Sequence, residues 1–307
     1  MEFLPKEIIN TIKELTIYKP NAKEELKKAV NLWCKNKDEA LNNYGHISNW
    51  DTSLITDMSY LFYNKKDFND NINNWDVSKV TEMYFMFGHA TKFNQPLDLW
   101  DVSSVIIMES MFYNASSFNQ NINCWDVSSV TNMANMFGYA TNFNQQLNLW
   151  NVTNVTDISC MFKYAENFNQ PLDSWNVSSV TKINSLFSDA YSFNQNINSW
   201  NVSSVTGIFG MCGIFYKTYS FNQPLNLWDV SSVNCMASMF YEASSFNQPL
   251  DSWDVSNVSN MEYMFYGASS FNQPLNSWDI SNVIYKEEIF DENSEFDRNN
   301  ALWYNFD

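Results

Sequence analysis

Apolar residues recur along this chain with a period of 25 residues, and tryptophan marks that period most clearly. The marking residues are Trp50, Trp75, Trp100, Trp125, Trp150, Trp175, Trp200, Trp228, Trp253 and Trp278. One interval, from Trp200 to Trp228, is 28 residues long, and Trp303 follows 25 residues after the last of them. A fixed period of this length is typical of a protein built from stacked repeats, each forming one turn.

Around each tryptophan the pattern predicts a short strand. Leu or Ile stands three residues before the tryptophan and Val stands two after it in most copies, which gives L-x-x-W-x-V. This is the spacing of the leucine-rich-repeat strand with Trp in a leucine position. Because alternate side chains share a face of a strand, Trp100 and Val102 would point inward and Asp101 outward.

After the strand, the spacing of apolar residues changes and predicts a helix. In one copy these residues are Val105, Met108, Met111, Phe112 and Ala115. Steps of three and four residues place them on one side of a helix of about three turns. The predicted fold class is therefore an α/β repeat solenoid, leucine-rich-repeat-like, with 25-residue strand–short helix turns and a parallel sheet.

The two ends of the chain differ from the repeats. Residues 21–45 have the spacing of an amphipathic helix, with apolar positions at Leu26, Ala29, Val30 and Trp33. We predict an N-terminal helical cap over residues 1–45, within which residues 1–20 are a possible short docking helix. Residues 46–307 are predicted to form a solenoid of about ten 25-residue repeats, closed by a degenerate last turn.

Charge excludes several classes of partner. The chain has a formal net charge of −17, and residues 46–307 carry nine positive against 27 negative side chains. Binding to phosphate backbones needs clustered Lys or Arg, so we expect no nucleic-acid partner and no binding to an anionic membrane surface. No stretch approaches the apolar length of a membrane span, and the start at Met1 lacks the pattern of a secretory leader.

The five cysteines predict neither disulfides nor a zinc site. Cys34, Cys124, Cys160, Cys212 and Cys235 stand at different positions of the repeat and show no C-x-x-C spacing. We expect buried, reduced thiols. Together with the missing leader, this favours an intracellular, cytoplasmic location, with a virion or the cell surface as the alternative.

The candidate binding site is the row of residues that directly follow the tryptophans. Its members are Asp51, Asp76, Asp101, Asp126, Asn151, Asn176, Asn201, Asp229, Asp254 and Asp279. The change from Asp to Asn keeps a hydrogen-bond acceptor and discards the charge, which predicts a bond to the backbone of the following Ser pair. A partner-contacting acidic strip on the concave face is the alternative; no metal site is expected, because the Gly-rich calcium motif is absent.

The sequence predicts no catalysis. The two histidines, His46 and His89, fall in different turns at different positions, and no catalytic triad order, phosphate loop or H-E-x-x-H motif is present. We therefore expect no catalytic residues, no cofactor and no enzyme. The three-residue insertion near Cys212 is either a tolerated insertion or a recognition loop.

The repeat resembles a known family. The residues that carry the resemblance are Trp125-Asp126-Val127-Ser128-Ser129-Val130-Thr131-Asn132-Met133, Met136-Phe137, Ala140 and Phe143-Asn144-Gln145. They are similar to the repeat of BspA-like leucine-rich-repeat surface proteins, especially the mycoplasma-type lipoprotein subfamily of unknown function, and the likeness covers about residues 21–303. It implies a leucine-rich-repeat-like solenoid and, for secreted members, surface adhesion or partner binding. The chain departs from the family in lacking a lipoprotein signal.

A second resemblance is confined to the N-terminus. Residues 3–15, from Phe3-Leu4-Pro5 to Leu15, resemble the opening of an F-box, the helical module that docks substrate adaptors on a ubiquitin ligase. An amphipathic outer cap helix explains the same pattern without a partner.

The predicted function is a non-enzymatic, monomeric repeat scaffold for protein–protein interaction, with an acidic concave face. The alternatives are an F-box-like adaptor that uses residues 1–20, and a structural component of a virion or cell surface.

Overall fold

Most of the chain consists of stacked tight turns, and helices are confined to its two ends. The computed structural model describes residues 17–291 and 295–305. Its helices are α1 (Lys23–Lys35), α2 (Lys37–Tyr44) and two three-residue 3-10 helices (Ile47–Asn49 and Arg298–Asn300). Elsewhere in these two ranges, β structure is limited to isolated parallel bridges between neighbouring turns.

The prediction of a strand around each tryptophan is wrong, because the backbone closes into turns there. Trp100 donates its backbone N–H to the carbonyl of Leu97 at 3.2 Å, and Val105 donates to the carbonyl of Val102 at 2.9 Å. Both bonds span three residues, the separation within a β-turn. The alternation of apolar and polar residues at this point therefore comes from successive turns and not from the pleat of a strand.

The prediction of a helix after each tryptophan is also wrong, and with it the α/β leucine-rich-repeat fold class. Met108 donates its N–H to the carbonyl of Asn132 in the next repeat at 3.0 Å, whereas Met111 donates to Met108 in its own repeat at 3.1 Å. A helix would direct each N–H to the carbonyl four residues back. Ser110 has a φ of 56°, in the left-handed region that a right-handed helix excludes.

The helix-like spacing has a different physical cause. When a chain closes a turn every three or four residues, every third or fourth side chain points into the core. The same spacing of apolar residues occurs along one face of a helix. Met108, Met111, Phe112 and Ala115 are all fully buried for this reason. The repeats stack in a register of 25, marked by parallel bridges that join Asp57, Glu82, Ile107, Asn132, Asp157 and Lys182 in succession.

The core consists of columns of aromatic rings that run through the stack. The rings of Trp125 and Trp150 lie parallel with centroids 6.5 Å apart, and Phe112 stacks on Phe118 of its own repeat at 3.9 Å and on Phe137 of the next at 5.8 Å. From Trp75 to Trp303, each repeat's indole also makes a bond to the preceding repeat, as when Trp125 donates Nε1–H to the carbonyl of Leu97 at 2.9 Å. The tryptophan therefore fills the core and joins neighbouring repeats at once.

Helix α1 covers the first repeat. It buries Leu26, Ala29, Val30 and Trp33, the four positions of the amphipathic spacing. The indole of Trp33 packs edge-on against Trp50 at 6.0 Å and donates Nε1–H to the Asp70 carboxylate at 2.8 Å. The F-box-like stretch 3–15 and most of the predicted docking helix 1–20 lie outside the described residues.

The three-residue insertion interrupts the ladder of bridges at one place. It falls in residues 206–210, the insertion loop, and the parallel bridges resume at Cys235. Ile208 and Phe209 in this loop are 78% and 63% exposed. Gly210, with a φ of 35°, ends the loop so close to the next repeat that a Cβ would lie 2.8 Å from the carbonyl oxygen of Cys235.

The cysteine prediction is wrong on two points. Cys212 and Cys235 form a disulfide, which joins the repeat carrying the insertion loop to the following repeat. Of the free cysteines, Cys34 and Cys124 are exposed and Cys160 is half-buried. The pairing was missed because Cys212 and Cys235 stand at different positions, 12 and 7 residues after their tryptophans, and the sequence alone does not show that the stack places these positions side by side. The expected reduced state was one of two grounds for a cytoplasmic location, and that ground fails.

Candidate functional site

The row of Asp and Asn residues after the tryptophans lies on the surface and makes the same local hydrogen bond in every repeat. In all ten members, from Asp51 to Asp279, Oδ1 accepts the backbone N–H two residues later, at 3.0–3.2 Å. The row therefore forms the predicted Asx-type bonds, and Asn serves as well as Asp because only the acceptor oxygen is needed.

The charge of this row is uneven. The Ser128 hydroxyl and N–H bond to Asp126 and hold the pKa of its carboxyl below the ordinary value, and Asp254 is held in the same way. These carboxylates are therefore ionised at neutral pH. Asn151, Asn176 and Asn201 make the middle of the row neutral, and Asp51 at its start forms an ion pair with Lys19 at 2.8 Å.

A second surface, which the sequence analysis missed, is a strip of aromatic side chains that runs in two halves along the stack. It lies 9–16 residues after the tryptophans from Trp50 to Trp253, except that Tyr219 lies 19 residues after Trp200, whose repeat carries the insertion. We call it the tyrosine strip. Its members are Tyr60, Tyr63, Tyr84, Phe85, Tyr113, Tyr139, Tyr164, Tyr191, Tyr216, Tyr219, Tyr241, Tyr263 and Tyr266. They are half-buried or exposed, and four of them are 37–40% exposed.

Within each half of the strip, rings contact rings of the next repeat. Tyr139 stacks on Tyr164 at a centroid distance of 4.5 Å, and Tyr216 stacks on Tyr241 at 4.7 Å. Tyr60 meets Phe85 of the next repeat at 5.7 Å in a parallel arrangement. The strip therefore presents ring faces, edges and phenol groups in a preformed arrangement.

Several of these rings stand on backbone that is unfavourable for them. The residues with a φ between 49° and 62° are Tyr60, Phe85, Tyr139, Tyr164 and Tyr263. The left-handed region favours Gly and Asn, and a bulky residue there is a steric outlier. Other repeats use Asn at these two positions, as at Asn135, which is equivalent to Tyr60, and at Asn114, which is equivalent to Tyr139. The turn therefore does not need an aromatic residue, and the ring is present at a conformational cost.

A cluster of charged groups lies between the two halves of the strip. Asp189 is buried, and burial raises the pKa of its carboxyl even though the Ser188 hydroxyl donates to it at 2.8 Å. Lys217 lies over the rings of Tyr216 and Tyr241, 5.5 and 5.9 Å from their centroids. A cation is thus already held against two ring faces of the strip, at the distance of a cation–π contact.

Sequence reasoning overlooked the strip because its tyrosines do not share one position of the repeat. Tyr84 stands nine residues after its tryptophan, Tyr113 thirteen and Tyr139 fourteen. Eleven of the 16 tyrosines nevertheless fall 9–16 residues after one of the repeat tryptophans, and Tyr219 joins them once the three-residue insertion is allowed for. That clustering was the available signal. In the part of the chain that the structure describes, no group of three or more His, Cys, Asp or Glu side chains is placed to hold a metal ion.

The stacked turns, the core columns and the two surface rows define a repeat protein. A model of the family described as "Mycoplasma protein of unknown function, DUF285" matches residues 33–148, 119–213 and 205–303. These three copies cover most of the chain, which therefore belongs to this family. No curated protein matches the chain. Among residues 17–291 and 295–305, no helix has the length and apolarity to cross a membrane.

Proposed function

We propose that the chain is a non-enzymatic, monomeric repeat scaffold that binds a protein partner, and that the tyrosine strip is its main contact surface. The observation that carries the proposal is the preformed, partly exposed strip itself. Tyrosine is enriched in protein interfaces because its ring supplies apolar contact area while its hydroxyl stays hydrogen-bonded. Backbone strain retained under aromatic residues such as Tyr139 and Tyr164 supports a role for those rings beyond folding.

The Asp/Asn row is the second surface in this proposal. One oxygen of each member is used in the local bond, and every member except the half-buried Asp51 is exposed to a partner. The net charge of −17 favours a partner with a neutral or basic contact surface and disfavours nucleic acid. The resemblance to BspA-like surface proteins supports adhesion or partner binding as the general class of activity.

A capture experiment with matched variants tests the proposal. The strip variant carries Tyr139→Ser and Tyr241→Ser, and Tyr285→Ser is the control because Tyr285 is 53% exposed but lies outside the strip. We expect the strip variant to lose most of the partner that the unchanged chain captures from its native cell extract, and the control to retain it. Retention of the partner by the strip variant, or no partner captured by the unchanged chain, would refute the proposal.

The same experiment examines the acidic row. Asp126→Asn and Asp254→Asn remove charge but keep the acceptor of the Asx-type bond, so the fold is preserved. If this pair alone abolishes capture, the row and not the strip is the contact surface.

A structural component of the cell surface or of a particle is the second candidate. The Cys212–Cys235 disulfide favours it, since disulfides persist mainly outside reducing compartments. Finding the chain in stoichiometric amounts in purified particles or envelopes would support this candidate over a soluble binding partner. The adaptor alternative that uses residues 1–20 stays a prediction, and its test is whether deletion of residues 1–20 leaves every captured partner in place.

A further inference from the structure

A cleft of about 640 Å³ opens between helix α1 and the corner of the first repeat. Its charged lining consists of Lys35, Lys37, Lys65, Lys66, Asp67 and Asp70. Four lysines against two aspartates give this cleft a local charge of +2 in a chain whose net charge is −17. The volume lies within the range of small-molecule sites, about 300–1,000 Å³.

We propose that this lysine cleft binds a small anion with two or more negative charges, of the phosphate or carboxylate type. Lys ammonium groups bind such anions as point charges. A recessed site lined by one sign of charge also concentrates counter-ions of the other sign.

The other repeats act as an internal control for Lys65. The residue 15 positions after the tryptophan is a buried alanine in seven repeats: Ala90, Ala115, Ala140, Ala165, Ala190, Ala243 and Ala268. In the first repeat the same position is Lys65, and the next residue is Lys66. Because the turn forms with alanine elsewhere, folding of the turn does not explain the lysine.

The charged residues of the cleft differ in whether they already have a partner within the protein. Asp70 stands where the other repeats have Gln, and it is explained by docking of the cap, since it accepts bonds from Trp33 at 2.8 Å and from Lys37 at 2.6 Å. Lys65 and Lys66 form no ion pair within residues 17–291 and 295–305. Asp67 is paired with Lys92 at 2.6 Å on an exposed surface.

The remaining ionisable group of the cleft adds no negative charge. Although Cys34 is an exposed residue as a whole, desolvation raises the pKa of its thiol to about 11, so the thiol is neutral at physiological pH. Lys65 lines the same cleft, and its charge acts against this rise in the pKa of Cys34. The positive charge of the cleft is therefore available to a ligand.

Calorimetric titration of the full-length chain with pyrophosphate, and separately with citrate, tests the proposal. The cleft variant is Lys65→Gln with Lys66→Gln, and the control is Lys79→Gln with Lys286→Gln, which removes the same charge from exposed positions outside the cleft. We expect saturable binding of at least one anion, weakened by about tenfold or more in the cleft variant through loss of two charge-assisted contacts, and unchanged in the control. No saturable binding of either anion, or equal weakening in both variants, would overturn the proposal.

Thiol protection gives a second test that does not depend on the variants folding. Cys34 lines the cleft, and Cys124 is an exposed cysteine of another repeat. A saturating amount of the bound anion should slow alkylation of Cys34 by iodoacetamide and leave the rate at Cys124 unchanged. An unchanged rate at Cys34 would contradict binding in this cleft.

Discussion

The indole hydrogen bonds between repeats lead to a prediction about stability. Trp150 stacks between Trp125 and Trp175, at 6.5 and 6.4 Å, and donates Nε1–H to the carbonyl of Ile122 at 3.0 Å. The substitution Trp150→Phe removes this donor and keeps an aromatic ring in the column. Trp303→Phe is the matched control, because the Trp303 indole makes the equivalent bond at 2.8 Å but is only partly buried at the end of the stack.

The expected magnitude follows from these contacts. The Ile122 carbonyl also accepts the backbone N–H of Trp125 at 3.1 Å, so the substitution does not leave it without a partner. Loss of the indole bond should then cost about 1 kcal/mol, and the smaller ring in a fully packed site about 1–2 kcal/mol more. Trp303→Phe should cost less than about 1 kcal/mol, because water can replace the lost bond at a partly exposed site.

Guanidinium unfolding followed by intrinsic fluorescence measures both losses in the free energy of unfolding. The midpoint should fall clearly further for Trp150→Phe than for Trp303→Phe, with similar slopes for the two variants. Equal losses for both variants, or no loss for Trp150→Phe, would show that the indole bonds do not hold the interior repeats together.

Three further predictions concern the disulfide, the surface row and pH. Reduction of the Cys212–Cys235 bond should speed proteolytic cleavage within the insertion loop, because the bond fixes this loop where the ladder of bridges is interrupted. An unchanged cleavage pattern on limited proteolysis would contradict this role of the disulfide. Asp254→Asn should leave the thermal midpoint nearly unchanged, whereas Asp254→Ala should lower it through loss of the Asx-type bond. Equal midpoints would refute the bond's role. The ion pair and hydrogen bond from Lys19 lower the pKa of Asp51 to about 2. The stability that the Asp51 carboxylate contributes is therefore present above the unfolded pKa of about 4 and is lost as pH falls towards 2. An Asp51→Asn variant should lose less stability over that pH interval.

The sequence predicted the repeat and its inward residues but not the backbone between them. The period of the tryptophans and the burial of Met108, Met111 and Phe112 follow from apolar spacing alone. Spacing does not reveal where an N–H donates, and steps of three and four residues arise equally from a helix and from successive turns. The left-handed φ at Ser110 separates the two, and a serine there gives no sign of it.

The sequence also predicted one feature of the candidate surfaces and missed two others. The Asx-type bonds were predictable because acceptor and donor lie two residues apart, as in Asp101 and Ser103. The tyrosine strip and the lysine cleft depend on contacts between different repeats, or between a repeat and helix α1. Tyr113 and Tyr139, for example, stand at different positions of their repeats yet meet at 5.3 Å. Only the stacking register brings such residues together.

Photo-cross-linking from the tyrosine strip shows whether a protein partner contacts this surface in the cell. A benzophenone side chain is placed at Tyr139 or Tyr241 in the strip and, as the control, at Leu149, which is 71% exposed and lies beside the Asp/Asn row. We predict that irradiation in the native cell gives a discrete protein adduct from both strip positions and none from Leu149. Adducts from Leu149 alone, or none from either strip position, would contradict it.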